Sequence, residues 1–373
     1  MTDIVISGSG LYTPPYSISN DELVQAFNQY VDLHNAQHKE SIAAGGLAPL
    51  EHSSSEFIVK ASGIKSRFVV DKAGILDPQR MRPTIPERAD DELCLLGEIG
   101  VAAAEQALEQ ARRQAQEVDL VIVACSNLQR AYPAIAIEIQ NHLGCSGYGY
   151  DMNVACSSAT FGIGAAADAI RSGNARCALV INPEITSAHL NFRDRDSHFI
   201  FGDVATAVVV EAQADCRSKS AFRILGTSFK TQFSNNIRNN FGFMNNCHAE
   251  TRDSSDKLFR QNGRKVFKEL LPLVSNVIHD HLQQMQLEAS DIRRFWLHQA
   301  NLTMNLFAAK KLLGREPDEQ ELPIVLDRYA NTSSAGSVIA FHLYSDDLQP
   351  GEKGLMSSFG AGYSVGSLIL ERC

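Results

Sequence analysis

Residues 151–164 read DMNVACSSATFGIG. A strand-like run ends in this stretch, and a helix rich in Ala, Ser and Gly begins, with Cys156 at the junction. A helix N-terminus carries partial positive charge and free N–H groups, which favour a thiolate over a thiol. The small neighbours leave room for a ligand beside the sulfur. The stretch predicts an α/β fold with a nucleophilic cysteine at a strand-to-helix junction, with a buried structural cysteine as the alternative.

The same order of elements occurs twice along the chain. Residues 119–144, DLVIVACSNLQRAYPAIAIEIQNHLG, and residues 291–314, DIRRFWLHQANLTMNLFAAKKLLG, each run from a strand through a polar loop to a helix that ends at Leu-Gly. The segments that follow also match, since residues 153–166 and 329–342 both contain Ser-Ser-Ala before a small-residue helix. We infer an internal duplication in which corresponding loops of the two halves meet at one site.

The duplication divides the chain near residues 212–220. We predict an N-terminal half, residues 1–215, that carries the cysteine, and a C-terminal half, residues 216–373. Two polar stretches near residues 28–55 and 72–90 fit neither half and are interpreted as insertions or long surface loops that shape a site.

Two apolar segments predict further strands. Residues 118–126, VDLVIVACS, form a nearly unbroken apolar run that is typical of a buried parallel strand. Residues 199–212, FIFGDVATAVVVEA, are interpreted as a hairpin pair of strands.

Composition excludes several classes of function. The chain has 373 residues, 44 % of them apolar, and a formal net charge of -9. Nucleic acid is not an expected partner, because phosphate binding needs a basic field. The eight cysteines are set at neither CxxC nor zinc-finger spacing, so no metal site is predicted. No basic leader or membrane-spanning apolar stretch is apparent, so we expect a reduced, cytoplasmic protein with no membrane partner.

Three further motifs place polar groups where strands end. His298 follows the apolar run FWL in LHQAN, residues 297–301, at the edge where α/β sheets place their ligands. Asn331, in ANTSSAGS, residues 330–337, precedes a helix start, where a simple N-cap is the alternative. Residues 357–367, SSFGAGYSVGS, predict a tight turn that could offer a backbone N–H to an oxyanion.

With these motifs in order, the chain resembles ketoacyl-acyl-carrier-protein synthase III, of the thiolase-like superfamily. The resemblance covers nearly the whole chain, through SGSGLYTPPYSISNDEL, SEFIVKASGIKSRF, DMNVACSSATFGI, FIFGDVATAVVV, NGRKVFKELLP, LHQANL, LDRYANTSSAGSV and SFGAGYSVGS. It implies an α/β, thiolase-like fold in which two duplicated βαβ-rich halves form a five-layered α-β-α-β-α core.

The resemblance implies a decarboxylative Claisen condensation. Cys156 would accept the acyl group of a thioester primer. His298 and Asn331 would stabilise the enolate formed when malonyl-acyl-carrier protein loses CO2. The backbone N–H groups of Cys156 and Ala361 would hold the tetrahedral oxyanion. No cofactor is implied, since acyl-coenzyme A and malonyl-acyl-carrier protein are substrates.

The resemblance also implies contacts with the substrates and with a second subunit. Phe57 and Arg195 match an aromatic and an arginine that enclose the coenzyme A adenine. Ala61 replaces the arginine that would complete this clamp, so a carrier protein could deliver the primer instead. Tyr132 matches an aromatic that reaches across a homodimer interface into the partner's acyl pocket. The full substrate-binding set comprises Phe57, Arg195, Phe201, Phe267 and Tyr132 of the partner.

A basic helix is the candidate docking surface for acyl-carrier protein. Arg264, Lys265 and Lys268 lie in NGRKVFKEL, and Lys268 matches a docking position of the family. Carrier proteins are acidic, so a basic patch would steer them, although a solvated helix face is the alternative. Thr303 stands where the family often has a further arginine.

Four alternatives stay open. A synthase-III-like acyltransferase or condensing enzyme of a specialised lipid pathway would keep Cys156 but use a non-malonyl acceptor. A hydroxymethylglutaryl-coenzyme A synthase would need a catalytic glutamate, for which Glu184 is the candidate. A non-catalytic partner subunit would lack one of the three catalytic side chains, and a cysteine hydrolase would need neither Asn331 nor the duplication.

Overall fold

The computed structural model describes residues 2–373. Within them, nine strands form one mixed sheet and four more form two short ribbons, β2 with β3 and β9 with β10. The strands are β1 Ile4–Tyr12, β2 Tyr16–Ser19, β3 Ser66–Val69, β4 Leu120–Ala124, β5 Tyr148–Met152, β6 Cys177–Glu184, β7 Val204–Ala212, β8 Phe222–Thr231, β9 Ile237–Arg238, β10 Arg260–Gln261, β11 Ile292–Leu297, β12 Lys353–Gly360 and β13 Ser364–Arg372.

The α-helices connect and cover these strands. They are α1 Asn20–Gln37, α2 Lys39–Ala43, α3 Ser55–Ser62, α4 Ala73–Leu76, α5 Leu95–Ala111, α6 Ile135–Leu143, α7 Ser158–Arg171, α8 Phe243–Asn246, α9 Gly263–Gln284, α10 Leu302–Leu313, α11 Leu326–Tyr329 and α12 Gly336–Leu343.

The large sheet repeats one pairing pattern. Its order is β11-β12-β13-β8-β1-β7-β6-β4-β5. β4 pairs parallel with β6, β6 antiparallel with β7, and β7 antiparallel with β1. β11, β12, β13 and β8 make the same three pairings in the same order. Two residues of β1, Val5 and Ile6, pair with β8 and make the sheet continuous between the repeats.

Helices α7 and α12 form the central layer of the molecule. Their apolar side chains pack with strands of both repeats in one core cluster, which includes Ile163, Trp296 and Phe341. Helices α5 and α6 cover the outer face of the first repeat, and α9 and α10 cover that of the second. The layers therefore run α-β-α-β-α.

Most predicted elements occur where the sequence places them, with one clear error. β4 and α6 occupy the strand and helix predicted within residues 119–144, and Gly144 ends α6 at φ +70°. The hairpin predicted for residues 199–212 is wrong, because only β7 forms there. Phe201 instead makes an isolated bridge to Asn331, so the first part of this segment pairs with the second repeat.

The two presumed surface loops are partly helical. Residues 28–55 include the end of α1 and all of α2, and residues 72–90 include α4. Helix α1 starts with a capping box between Ser19 and Glu22 and buries Phe27 against the core. Its polar composition hid a buried stripe at helical spacing. The division of the chain between residues 215 and 216, in the link from β7 to β8, stays a prediction.

Candidate active site

One cavity of about 550 Å³ is lined by residues of both repeats. Cys156 lies two residues before α7, His298 directly follows β11, and Asn331 lies between α11 and the short 3-10 helix Ser333–Ala335. All three side chains line this cavity. The structure therefore brings together the cysteine of the first repeat with the imidazole and the carboxamide of the second.

A strained turn holds Cys156. Ala155, directly before it, has φ +48°, a left-handed conformation that is uncommon for a residue with a side chain. Gly360, at the end of β12, packs against the cysteine, because a Cβ there would lie 2.6 Å from Cβ and 3.0 Å from Sγ of Cys156. The fold thus fixes the sulfur from two sides, and the second side requires glycine.

The thiol of Cys156 is protonated in the free protein. Burial raises its pKa to about 11; the hydrogen bond from Ser333 lowers it, and the charge of Glu184 raises it further. The sequence-based expectation of a resting thiolate is therefore wrong. Removal of water from the sulfur destabilises the anion more than the helix start and its donors stabilise it.

Two backbone N–H groups act on the same sulfur. Hydrogen bonds from the amides of Ala361 and of Cys156 itself both favour the thiolate. These are the two donors that the family resemblance assigns to the oxyanion. A tetrahedral carbon bonded to Sγ would place its oxygen beside the sulfur, within the region that these amides face.

His298 is a buried, neutral imidazole. The residue is 2 % exposed, and its Nδ1 has no hydrogen-bond partner among residues 2–373. Burial lowers the pKa of His298 to about 4, and hydrogen bonding with the backbone of Ser333 acts in the opposite direction. The ring packs edge-on against Phe359, with 5.3 Å between centroids. At neutral pH it therefore has one N–H to donate and no charge.

Asn331 is oriented by its own backbone and by Ser333. Its N–H donates to the carbonyl of Ile200 over 2.9 Å, and its carbonyl accepts from Gly202 over 3.2 Å. The side-chain Oδ1 accepts from the N–H of Ser333 over 2.9 Å. Because the acceptor end of the amide is engaged, the Nδ2 group is the end that can donate within the cavity.

Glu184 is fully buried and does not line the cavity. Its carboxylate accepts from the N–H and Oγ of Ser126, at the end of the first-repeat strand β4, and from the N–H and Oγ of Ser334 in the second repeat. Burial raises its pKa, and the hydrogen bonds from these serines oppose the rise. Glu184 therefore links the two repeats, which argues against its role as a catalytic base.

The two residues predicted to enclose the coenzyme A adenine, Phe57 and Arg195, contact each other. The guanidinium carbon of Arg195 lies 4.4 Å from the ring centroid of Phe57, and its Nε donates to the carbonyl of His52 over 2.8 Å. His52 belongs to the first presumed insertion. An adenine could enter only if the arginine moved away from the ring, because two stacking contacts need about 7 Å between them.

The other predicted contact residues fall into two groups. Phe201 and Phe267 line the catalytic cavity, as does Arg264. Lys265 and Lys268 lie outside the lining and are exposed on the first two turns of α9. Tyr132 is 79 % exposed and lies away from the cavity of its own chain. Its contact with a partner subunit stays a proposal.

Two residues of the site escaped the sequence reasoning. Ser333 lies in a motif that was interpreted as a helix start, and no role was predicted for its side chain. Its Oγ donates to Sγ of Cys156 over 3.3 Å. Gly360 was read as part of a turn, but it is the residue on which the cysteine packs. The repeated Ser-Ser-Ala motif could have indicated the role of Ser333. The role of Gly360 depends on a contact between distant segments of the chain, which no local motif indicates.

Neither a metal-binding cluster nor a membrane-spanning helix occurs among residues 2–373. No group of three or more His, Cys, Asp and Glu side chains that could hold a metal ion occurs within residues 2–373. Over the same residues, the helices are all too short or too polar to cross a bilayer. The expected independence of a cofactor stays a prediction.

Comparison with known protein families gives two matches. Residues 150–232 match the model of 3-oxoacyl-[acyl-carrier-protein] synthase III, and residues 282–372 match the model of the C-terminal part of the same enzymes. The first range contains Cys156, and the second contains His298 and Asn331.

Individual proteins are similar over most of the chain. A β-ketodecanoyl-[acyl-carrier-protein] synthase of Pseudomonas aeruginosa is 60 % identical over 94 % of this chain and 100 % of its own. A β-ketoacyl-[acyl-carrier-protein] synthase III of Chelativorans is 32 % identical over 86 % of this chain and 91 % of its own. The crystal structure of 3-oxoacyl-[acyl-carrier-protein] synthase III from Aquifex aeolicus superposes with a TM-score of 0.75, at 25 % identity and 99 % coverage of both chains. These likenesses confirm the thiolase-like fold class.

Proposed function

The chain belongs to the 3-oxoacyl-[acyl-carrier-protein] synthase III family and is a condensing acyltransferase, and on this premise we propose that it extends an eight-carbon acyl primer. The relative from Pseudomonas aeruginosa is named for a β-ketodecanoyl product, and its high identity carries the proposal. A ten-carbon 3-oxoacyl chain made with one malonyl unit requires a primer that is two carbons shorter. The product would be 3-oxodecanoyl-[acyl-carrier protein].

In the first half-reaction, Cys156 takes the acyl group from the primer thioester. Sγ attacks the carbonyl carbon while its proton leaves, and the N–H groups of Cys156 and Ala361 stabilise the oxyanion. When the tetrahedral adduct collapses, the carbon–sulfur bond of the incoming thioester breaks and the departing thiol carries the proton away. The hydrogen bond from Ser333 supports this step, because it favours the thiolate form of Cys156.

In the second half-reaction, a malonyl thioester enters the same cavity. Loss of CO2 leaves an enolate, whose oxygen accepts hydrogen bonds from the neutral imidazole of His298 and from Nδ2 of Asn331. The enolate carbon then attacks the acyl carbon on Cys156, and the sulfur leaves as a thiolate that takes up a proton from solvent as the carbon–carbon bond forms. A buried, uncharged donor pair suits this step, because water in the cavity would protonate the carbanion.

The partners of this reaction follow from the family and from the surface. Synthases of this family act on acyl-carrier-protein substrates, and the exposed residues Arg264, Lys265 and Lys268 support docking of an acidic carrier beside the cavity. The closed contact between Arg195 and Phe57 is compatible with coenzyme A only after the arginine moves. A homodimer in which Tyr132 completes the partner's acyl pocket and a cytoplasmic location are further expectations.

The alternative with a non-malonyl acceptor is not favoured. The relatives that share most of this chain are named as β-ketoacyl synthases, which use a carbon nucleophile rather than a hydroxyl or an amine. The donor pair of His298 and Asn331 also has a specific use only where an enolate oxygen must be stabilised.

Product analysis tests the proposal. We expect octanoyl thioesters of coenzyme A and of carrier protein, incubated with malonyl-carrier protein, to give 3-oxodecanoyl-carrier protein by mass spectrometry. The variant His298→Ala should be acylated but should form no condensed product. Faster condensation of an acetyl primer, or no carbon–carbon bond formation with any primer, would overturn the proposal.

A further inference from the structure

A second, polar cavity adjoins the mouth of the catalytic cavity. It has a volume of about 560 Å³ and lies between the ribbon of β9 and β10 and the start of α9. Gln261, Gly263 and Arg264 line both cavities, so they share one rim. A molecule whose end enters the catalytic cavity would therefore pass this second cavity with the part that remains outside.

Two arginines face each other across the ribbon. Arg238 of β9 is the direct partner of Arg260 of β10 in the antiparallel register, and both side chains line the second cavity. Like charges placed directly opposite in a sheet destabilise the pairing. A two-residue ribbon is only marginally stable, so a negative charge beside the two arginines is needed to offset their mutual repulsion.

No carboxylate within residues 2–373 forms an ion pair with these arginines. The Nη1 of Arg238 donates to the neutral amide of Asn235 over 2.6 Å, and its Nε donates to Asn240. Among the residues that the structure describes, Asp256 is the one acid that lines the cavity, and it pairs with Lys257 over 2.8 Å. The two arginines are therefore left without a counter-charge in a protein whose net charge is -9.

A third arginine completes the cluster. Arg264 lies in the first turn of α9, where the helix dipole disfavours a cation. Within the described residues, it is also the single lysine or arginine that lines the catalytic cavity, while Ala61 and Thr303 on the same lining carry no charge. Positive charge at the mouth is thus concentrated on the side of the second cavity.

We propose that Arg238 and Arg260, with Arg264, bind the phosphate of the phosphopantetheine arm that carries the acyl or malonyl group. The inference rests on the proposed function, because the arm must place its thioester at Cys156 while its phosphate stays at the mouth. Arginine pairs suit phosphate, since their planar N–H groups match its oxygens. The same phosphate is present in coenzyme A and in carrier proteins, so the site serves either carrier.

Acylation of Cys156 by octanoyl-pantetheine and by octanoyl-phosphopantetheine tests the proposal, since the two differ only in the phosphate. In the wild type, we expect the phosphorylated thioester to acylate at least tenfold more efficiently at low concentration, as a charge-assisted contact is worth roughly that factor. In the variant Arg238→Ala/Arg260→Ala, the preference should disappear, while octanoyl-pantetheine still reacts at the wild-type rate.

A matched variant controls for the loss of positive charge. Arg171→Ala/Arg176→Ala removes two arginines whose ion pairs lie at the surface, outside both cavities, and should keep the full preference. Octanoyl-coenzyme A and octanoyl-carrier protein both carry this phosphate, so acylation by each of them should lose efficiency in the Arg238→Ala/Arg260→Ala variant. A preference that survives in that variant would overturn the inference. Failure of every octanoyl thioester to acylate the wild type would instead contradict the proposed function.

Discussion

The hydroxyl of Ser333 donates to Sγ of Cys156 over 3.3 Å and joins the two repeats at the reacting atom. The backbone of the same serine contacts the other two predicted catalytic residues. Its N–H donates to Oδ1 of Asn331 over 2.9 Å, and its backbone lies close enough to His298 to raise the pKa of that imidazole. Ser333 has φ +51°, so a strained backbone places one residue against all three side chains.

Loss of the Ser333 hydroxyl should slow acylation. Ser333→Ala keeps the backbone contacts but removes the hydrogen bond that lowers the pKa of Cys156, so the thiolate becomes still rarer. We expect acylation to fall roughly tenfold, as for one hydrogen bond to a charged group, and iodoacetamide alkylation to need higher pH. Ser337→Ala, which removes a buried hydroxyl bonded to Ser358, is the control. An unchanged alkylation profile in Ser333→Ala would contradict this role.

Conversion of the Asn331 amide to a carboxylate should separate the two half-reactions. Asn331→Asp keeps an oxygen to accept from Ser333 but replaces the Nδ2 donor with an acceptor. Decarboxylation of malonyl-carrier protein should fall on the order of 100- to 1,000-fold, as for the loss of an oxyanion donor. Acylation, measured separately by intact mass, should fall much less. Equal losses in both steps would assign Asn331 a structural role instead.

A methyl group at Gly360 should displace the nucleophile. In Gly360→Ala, the new Cβ would lie 2.6 Å from Cβ of Cys156, so the cysteine must move. A shift of about 1 Å at a reacting atom can cost on the order of 100-fold in rate, and we expect acylation to fall by that factor. Gly46→Ala is the control, since its Cβ would lie 3.3 Å from the flexible Ser41 hydroxyl and at an ordinary contact distance of 3.6 Å from the Ser41 backbone oxygen. Normal acylation in Gly360→Ala would show that the packing is not required.

Stability should fall as the pH drops from about 6.5 towards 4. Burial lowers the pKa of His189, His198, His281 and His298 to about 4, whereas histidines of the unfolded chain take up protons near pH 6.5. In that window the unfolded state binds more protons, so the free energy of unfolding decreases by up to about 1.4 kcal/mol per pH unit for each histidine. Urea unfolding at pH 7 and at pH 5 measures it. Equal stability at both values would contradict the buried neutral state of these rings.

The sequence identified the reacting side chains but not the ionisation state of Cys156. Cys156 and His298 were found because each follows an apolar or strand-like run, and strand ends of an α/β fold meet at one edge. Asn331 was found because it precedes the Ser-rich start of a predicted helix. The ionisation of Cys156 was misjudged, because a local helix start is visible in sequence, whereas removal of water depends on the whole cavity. Ser333 and Gly360 act on Cys156 across large separations along the chain, 177 residues for the serine, which no local pattern reveals.

The fold was predicted in outline, because local sequence patterns reveal the order of strands and helices but not the contacts between distant segments. The internal repeat fixed the order of elements, and the pairing of β4, β6, β7 and β1 recurs in the second repeat. The predicted hairpin is wrong because Phe201 pairs with Asn331. This contact joins the two repeats, and hydrophobic periodicity within one segment cannot reveal it. The end of helix α1, residues 28–37, was misread as loop, because its polarity outweighed the buried apolar side chain of Val31.

Intact-protein mass spectrometry tests the central claim most directly, namely that Cys156 carries the primer. After incubation with acyl thioesters of two to fourteen carbons, we predict one adduct per chain, strongest for the octanoyl group, and none on Cys156→Ala. Peptide mapping should place that adduct on Cys156. An octanoyl adduct that persists in Cys156→Ala, or wild-type protein that accepts no acyl group from any of these thioesters, would contradict the account.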